Sequence, residues 1–150
     1  MRFPTLETHD LEGTPRTLPD DLPAGPRVIL LPFQRWHQLL VDGWSREIDT
    51  LRRAHPDLTV WEVPALSSHY AVGRFFIDGG MRAGISDLNV RLHTLTTYVD
   101  LAELAVELEL PSFDTVYVFL ISDAGEILWR GSGAVDEAGA TSLAKALDGL

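Results

Sequence analysis

The chain alternates between short continuous apolar runs and segments of helical period. Val28-Ile29-Leu30-Leu31 is a continuous apolar run, the pattern of a strand buried on both faces. Pro32 ends it and Gln34-Arg35 is polar. From Leu40 the spacing lengthens: Leu40, Trp44, Ile48 and Leu51 share one helical face, with Asp42, Arg46, Asp49 and Arg53 on the other. Strand, tight loop and amphipathic helix in that order place residues 33–38 where α/β folds present ligands to the carboxyl end of a strand.

The flanking segments extend this pattern. Thr5–Thr8 and Arg16–Leu18 predict the arms of a hairpin around the turn Glu12-Gly13-Thr14-Pro15. Pro19, Pro23, Gly25 and Pro26 then exclude regular structure up to the central strand. Leu58–Val63 predicts a strand parallel to the first, because a helix lies between them, and Pro64 ends it. Gly79-Gly80 ahead of Met81, Ile85 and Leu88 predicts a helix near 80–90. Leu95–Val99 is another strand. Asp100 with Glu103 has capping-box spacing before a helix whose apolar face is Leu101, Leu104, Ala105 and Leu108. Val116–Ile121 is the strongest strand signal; Asp123-Ala124-Gly125 turns it and Glu126–Arg130 returns antiparallel. Asp136 caps a last helix with Ala140, Leu143, Ala144 and Leu147 on its core face. Trp44, Trp61, Phe119 and Trp129 fall on core faces. No linker or repeat divides the chain, so 1–150 is expected to be a single domain.

Composition narrows the functional classes. The net charge is −10, and residues 100–150 hold ten acidic side chains against Arg130 and Lys145. Such a surface repels phosphate backbones, so nucleic acid is not an expected partner. There is no cysteine, which removes disulfides, thiolate nucleophiles and sulfur-ligated metals together. No apolar run approaches the roughly 18 residues of a membrane span, and MRFPTLETHDLEG has no apolar signal-peptide core. A soluble, cytoplasmic protein without a membrane partner is the expectation.

The order of elements resembles the thioredoxin-like fold, in its peroxiredoxin-like and thiol-disulfide-reductase-like branch. Thr5 to Leu18 followed by RVILLPF resembles that branch's amino-terminal hairpin and first core strand. DLAELAVELELPSFDTVYVFLISDAGEILWRGSG resembles its helix, loop, strand, turn and strand. The resemblance implies a central mixed β-sheet flanked by helices, with an N-terminal β-hairpin and a helical insertion around residues 65–93. It also implies that chemistry would sit in the loop after the first core strand. In the family that place carries cysteine; here it holds Gln34, Arg35, Trp36, His37 and Gln38. The family's cis-proline before the later core strand corresponds to Asp114, with Pro111 close by. Without a thiolate, peroxide and disulfide chemistry cannot run. Purified protein is therefore expected to reduce neither peroxide nor insulin disulfides; thiol-dependent turnover surviving removal of contaminating oxidoreductases would overturn this.

The residues at 34–38 suggest a polar shelf at a helix amino terminus. Backbone N–H groups and the helix dipole would favour an anion there, with Arg35 pairing to a carboxylate or phosphate. Trp36 offers an apolar wall and His37 a group titrating near neutrality. Arg82 would turn toward the shelf as a second anion fork, and Asp114 would line it. As exposed loop residues, Arg35 and His37 are expected to matter for binding and little for stability. His9, His37, His55, His69 and His93 show no local metal-binding spacing, and neither a metal nor a cofactor is expected. Three functions follow. The first is a redox-inactive module binding a protein or small molecule. The second is a cysteine-independent enzyme activating a bound thiol cofactor or anionic substrate, with Ser45 or Tyr70 as the hydroxyl. The third is a homo-oligomer joined through sheet edges or the insertion.

Overall fold

The computed structural model describes residues 1–68 and 88–150. In chain order the elements are β1 (Leu6–Asp10), β2 (Pro15–Leu18), β3 (Arg27–Leu31), α1 (Gln38–Leu51), β4 (Thr59–Glu62), β5 (Ala65–Ser67), α2 (Leu88–Leu92), β6 (Leu95–Val99), α3 (Leu101–Leu108), β7 (Tyr117–Ile121), β8 (Ile127–Ser132) and α4 (Glu137–Asp148). A single 3-10 turn over Arg35–His37 leads into α1.

The central sheet has the order β4-β3-β7-β8. β3 pairs parallel with β4 and antiparallel with β7, with Ile29 opposite both Trp61 and Phe119. Its two faces feed two cores. Ile29, Leu31, Trp61, Phe119 and Ile121 meet Phe3, Leu6, Leu95, Leu104 and Leu108 on one side. Val28, Leu30, Val118 and Leu120 meet Trp44 and Ile48 of α1 and Leu143 and Leu147 of α4 on the other. Every residue of β3 and β7 is buried, which explains why both read as unbroken apolar runs instead of alternating ones.

The helices begin where their caps predict. Asp100 accepts from the Glu103 N–H at 3.1 Å and Asp136 from the Gly139 N–H at 2.7 Å, each supplying one of the acceptors that a helix amino terminus lacks. On α1 the most buried residues are Val41, Trp44 and Ile48; Leu40 and Leu51 sit at the edge of the buried face. The whole stripe is therefore turned slightly from the Leu40–Leu51 line read in the sequence.

The expected amino-terminal hairpin is present, and it pairs outside the central sheet. It forms a second sheet, β2-β1-β6-β5, in which β6 pairs antiparallel with β1 and parallel with β5. The stretch assigned to a helical insertion also opens with a strand, β5, directly after Pro64. Proline has no N–H to donate to a ladder, so the β4 ladder ends there. The Pro64 carbonyl instead accepts from Thr97 and the Ala65 N–H donates to the Pro32 carbonyl, both at 3.0 Å. Of the helix expected near 80–90, Leu88–Leu92 is helical; the remainder lies outside the described residues, as do Arg82, His69 and Tyr70.

Candidate functional site

β3 ends at Leu31, and the chain crosses the carboxyl end of the sheet through Pro32–Gln34 before turning into α1. The loop before β7, residues 112–116, arrives beside it. Phe33 packs on the Phe113 ring at a centroid distance of 5.1 Å and edge-on to Tyr117 at 6.1 Å. Tyr117 in turn holds its own loop, its hydroxyl donating to the Ser112 carbonyl at 2.9 Å. The Gln34 amide joins the two loops. Its Nε2 donates to the Phe113 carbonyl at 2.9 Å, and its Oε1 accepts from the Trp36 indole at 3.1 Å.

His37 occupies the middle of this arrangement, and it is not on the surface. Its side chain has 0% exposure. Nδ1 accepts from the backbone N–H groups of Phe33 and Gln34 at 3.0 and 3.2 Å, so the ring proton belongs on Nε2. Burial lowers the pKa below its ordinary value, and Asp114, through its main chain and its carboxylate, opposes this more weakly. The ring is therefore neutral at physiological pH. Nε2 is buried with no hydrogen-bond partner, and Trp36 lies edge-on to the imidazole at 4.4 Å.

This overturns the expectation of an exposed, titrating His37. An anion would also find the N–H groups of Phe33 and Gln34 already occupied by the imidazole. What the shelf does present is apolar. Trp36 is 53% exposed and Leu39 77% exposed, rimmed by exposed Gln34, Arg35 and Asp114. Leu39 was not singled out by the sequence reading, although one leucine of the Leu39-Leu40 pair must fall off the buried stripe of a helix.

The structure thus brings Gln34, Trp36, His37 and Asp114 together, with Arg35 exposed alongside. Gln38 turns away from them. Its Nε2 donates to Asp42 Oδ1 at 2.9 Å. Nearby, burial first and then the Asp42 charge raise the Glu62 pKa from its ordinary 4.5 to about 7. Glu62 is a second residue that the sequence reading passed over; the available signal is one carboxylate inside the apolar strand Leu58–Val63. Neither Asp114 nor Pro111 follows a cis bond; among the described residues that geometry occurs at Leu18-Pro19. Ser45 is partly buried on α1. A separate shallow concavity of about 530 Å³ lies between the carboxyl half of α1 and α4, lined by Leu51, Val135, Ala140 and Ala144 with Glu47 and Asp136 among its polar residues. It shares no residue with the loops at the carboxyl end of the sheet.

Comparison with known proteins supports the fold. No family model matches the sequence, and no curated protein matches it. Solved structures do. Yeast Sco1 superposes with a TM-score of 0.64 at 12% identity, covering 99% of this chain and 96% of that one. The exposed lipoprotein thioredoxin Etrx1 of Streptococcus pneumoniae gives 0.59 at 14% identity, over 95% and 98%. StoA of Bacillus subtilis gives 0.54 at 16% identity, over 95% and 96%. The fold is thioredoxin-like, and it is built here without cysteine.

Proposed function

We propose that the chain is a redox-inactive thioredoxin-like binding module that holds an extended, largely apolar polypeptide segment across Trp36 and Leu39. The observation that carries this is the pairing of two exposed apolar side chains with a rigid base: Trp36 is fixed through Gln34 to Phe113, and the loop beneath is fixed by His37. A preorganised aromatic anchor loses little conformational entropy on binding, which favours recognition. The exposed groups of Gln34, Arg35 and Asp114 supply polar contacts at the rim, where they add specificity more than affinity. An apolar segment suits this surface better than a small anion, since His37 is buried and neutral and two N–H groups are already occupied.

Fluorescence anisotropy with labelled ten-residue peptides provides the test, comparing sequences with an apolar centre against acidic and phosphorylated counterparts. Apolar peptides are expected to bind best. Trp36→Ala should weaken them tenfold or more, or about 1.4–3 kcal/mol, the range expected for a central aromatic anchor. Leu39→Ala should weaken them less. Equal binding by both variants and the parent protein would rule out this surface. A preference for phosphorylated peptides that depends on Arg35 would restore the anion site.

A further inference from the structure

Leu143 and Leu147 form the buried face of α4, and Ala140 and Ala144 flank them half-buried. Alanine is too short to fill the space toward the carboxyl half of α1, so a furrow of about 530 Å³ lies between the two helices. Its apolar lining is Leu51, Val135, Ala140 and Ala144. The helix pair is tied at both ends. The Trp44 indole donates to the Gly133 carbonyl at 2.8 Å ahead of α4, and His55 Nε2 meets Asp148 Oδ1 at 3.0 Å beyond α1. The furrow is therefore preformed, and a ligand need not open it. Its rim carries Glu47, Asp136 and Glu137, and none of its lining residues is basic. None of these three carboxylates joins an ion pair among the described residues.

We infer that this furrow docks a basic amphipathic helix of a partner protein. Its apolar face would lie on Leu51, Val135, Ala140 and Ala144, and its Lys or Arg residues against Glu47, Asp136 and Glu137. Charge selects the partner. A second copy of this chain, seated across a two-fold axis, would bring the same three carboxylates against each other. Nucleic acid and anionic lipid are repelled for the same reason. Backbone chemistry selects the helix. The walls are two helices whose own N–H and C=O groups are paired internally, so an extended segment would find no ladder to join. A helix satisfies its main chain within itself and presents only side chains. Ala140 and Ala144 lie about one turn apart, and their small side chains let a third helix approach closely. The furrow shares no residue with the Trp36–Leu39 surface, so this docking stands apart from the peptide binding proposed there.

Fluorescence anisotropy with a labelled peptide of roughly 15 residues, Leu and Lys placed at helical spacing, tests this. A scrambled peptide of the same composition and a Leu–Glu version are the comparisons. The Leu–Lys helix is expected to bind, to shift ¹⁵N–¹H signals at Glu47, Leu51 and 135–144, and to weaken as salt rises from about 50 to 300 mM. Glu47→Gln combined with Glu137→Gln should weaken it about fivefold and flatten the salt dependence. Asp136 is kept, because its Oδ1 caps α4 through the Gly139 N–H. Thr141→Lys, at an exposed position lining the furrow, should weaken binding with little change in stability. Trp36→Ala should leave it unaltered, which separates this site from the apolar-peptide surface. Equal binding of the scrambled peptide would overturn the proposal, because charge alone would then account for the attraction. So would no binding, full affinity in the double glutamine variant or in Thr141→Lys, signal shifts outside the furrow, or a preference for the Leu–Glu peptide.

Discussion

His37→Ala is expected to destabilise the fold by about 3–4 kcal/mol in urea unfolding, while Arg35→Ala stays within about 0.5 kcal/mol. Among the described residues, the imidazole is the acceptor for the N–H groups of Phe33 and Gln34. Removing it leaves one buried donor and one partly buried donor without a partner, each costing about 1–3 kcal/mol, and opens a gap under Trp36. Acid should act through the same residue. The unfolded histidine takes up a proton near its ordinary 6.5, whereas the folded one resists it. Its contribution is therefore complete above pH 6.5 and is lost as pH falls through the depressed folded value. The variant should lack this acid-sensitive component. A loss below 1 kcal/mol in His37→Ala would show that the ring is not the support of the loop.

Glu62→Gln is expected to stabilise the protein at pH 8 by on the order of 2–3 kcal/mol, or roughly 4–10 °C in Tm for a chain of this size. The unfolded chain releases the Glu62 proton near 4.5 and the folded chain near 7. Between those values the folded state holds an extra proton. The stabilisation is fully present below pH 4.5, declines as pH rises toward 7, and is lost above it. Residual solvent contact of the side chain favours the lower end of the range. The amide variant is neutral throughout, so it should match the parent near pH 4 and exceed it at pH 8. Differential scanning calorimetry across that range checks the crossover. Equal Tm values at pH 8 would mean that Glu62 ionises without penalty.

Much of the fold was legible because the decisive strands are buried on both faces. Val28–Leu31 and Tyr117–Ile121 lie side by side in the central sheet, and their continuous apolar runs state this directly. The caps at Asp100 and Asp136 were legible for a local reason: cap and capped N–H are three residues apart. The second sheet was not. Ala65–Ser67 is too short to show a period, and its partner Thr97–Val99 lies some thirty residues away, a separation on which periodicity is silent.

The site shows the same division. Its position after β3 followed from element order, and Gln34, Trp36, His37 and Asp114 do converge there. The burial of His37 was hidden because a polar residue type in a loop reads as exposed. Part of its surroundings, Asp114, lies almost eighty positions downstream. Leu39 and Glu62 were visible as misfits, an apolar residue off the helix stripe and a charge inside an apolar strand. Each reads as ordinary until the fold places it beside the loop.

Titrating the labelled protein with an apolar ten-residue peptide, followed by ¹⁵N–¹H NMR, tests the binding surface most directly. The predicted result is a saturable set of shifts at residues 34–39 and 112–115, lost in Trp36→Ala. Shifts confined to the α1–α4 concavity, at Glu47, Leu51 and 135–144, or no shifts at all, would contradict it.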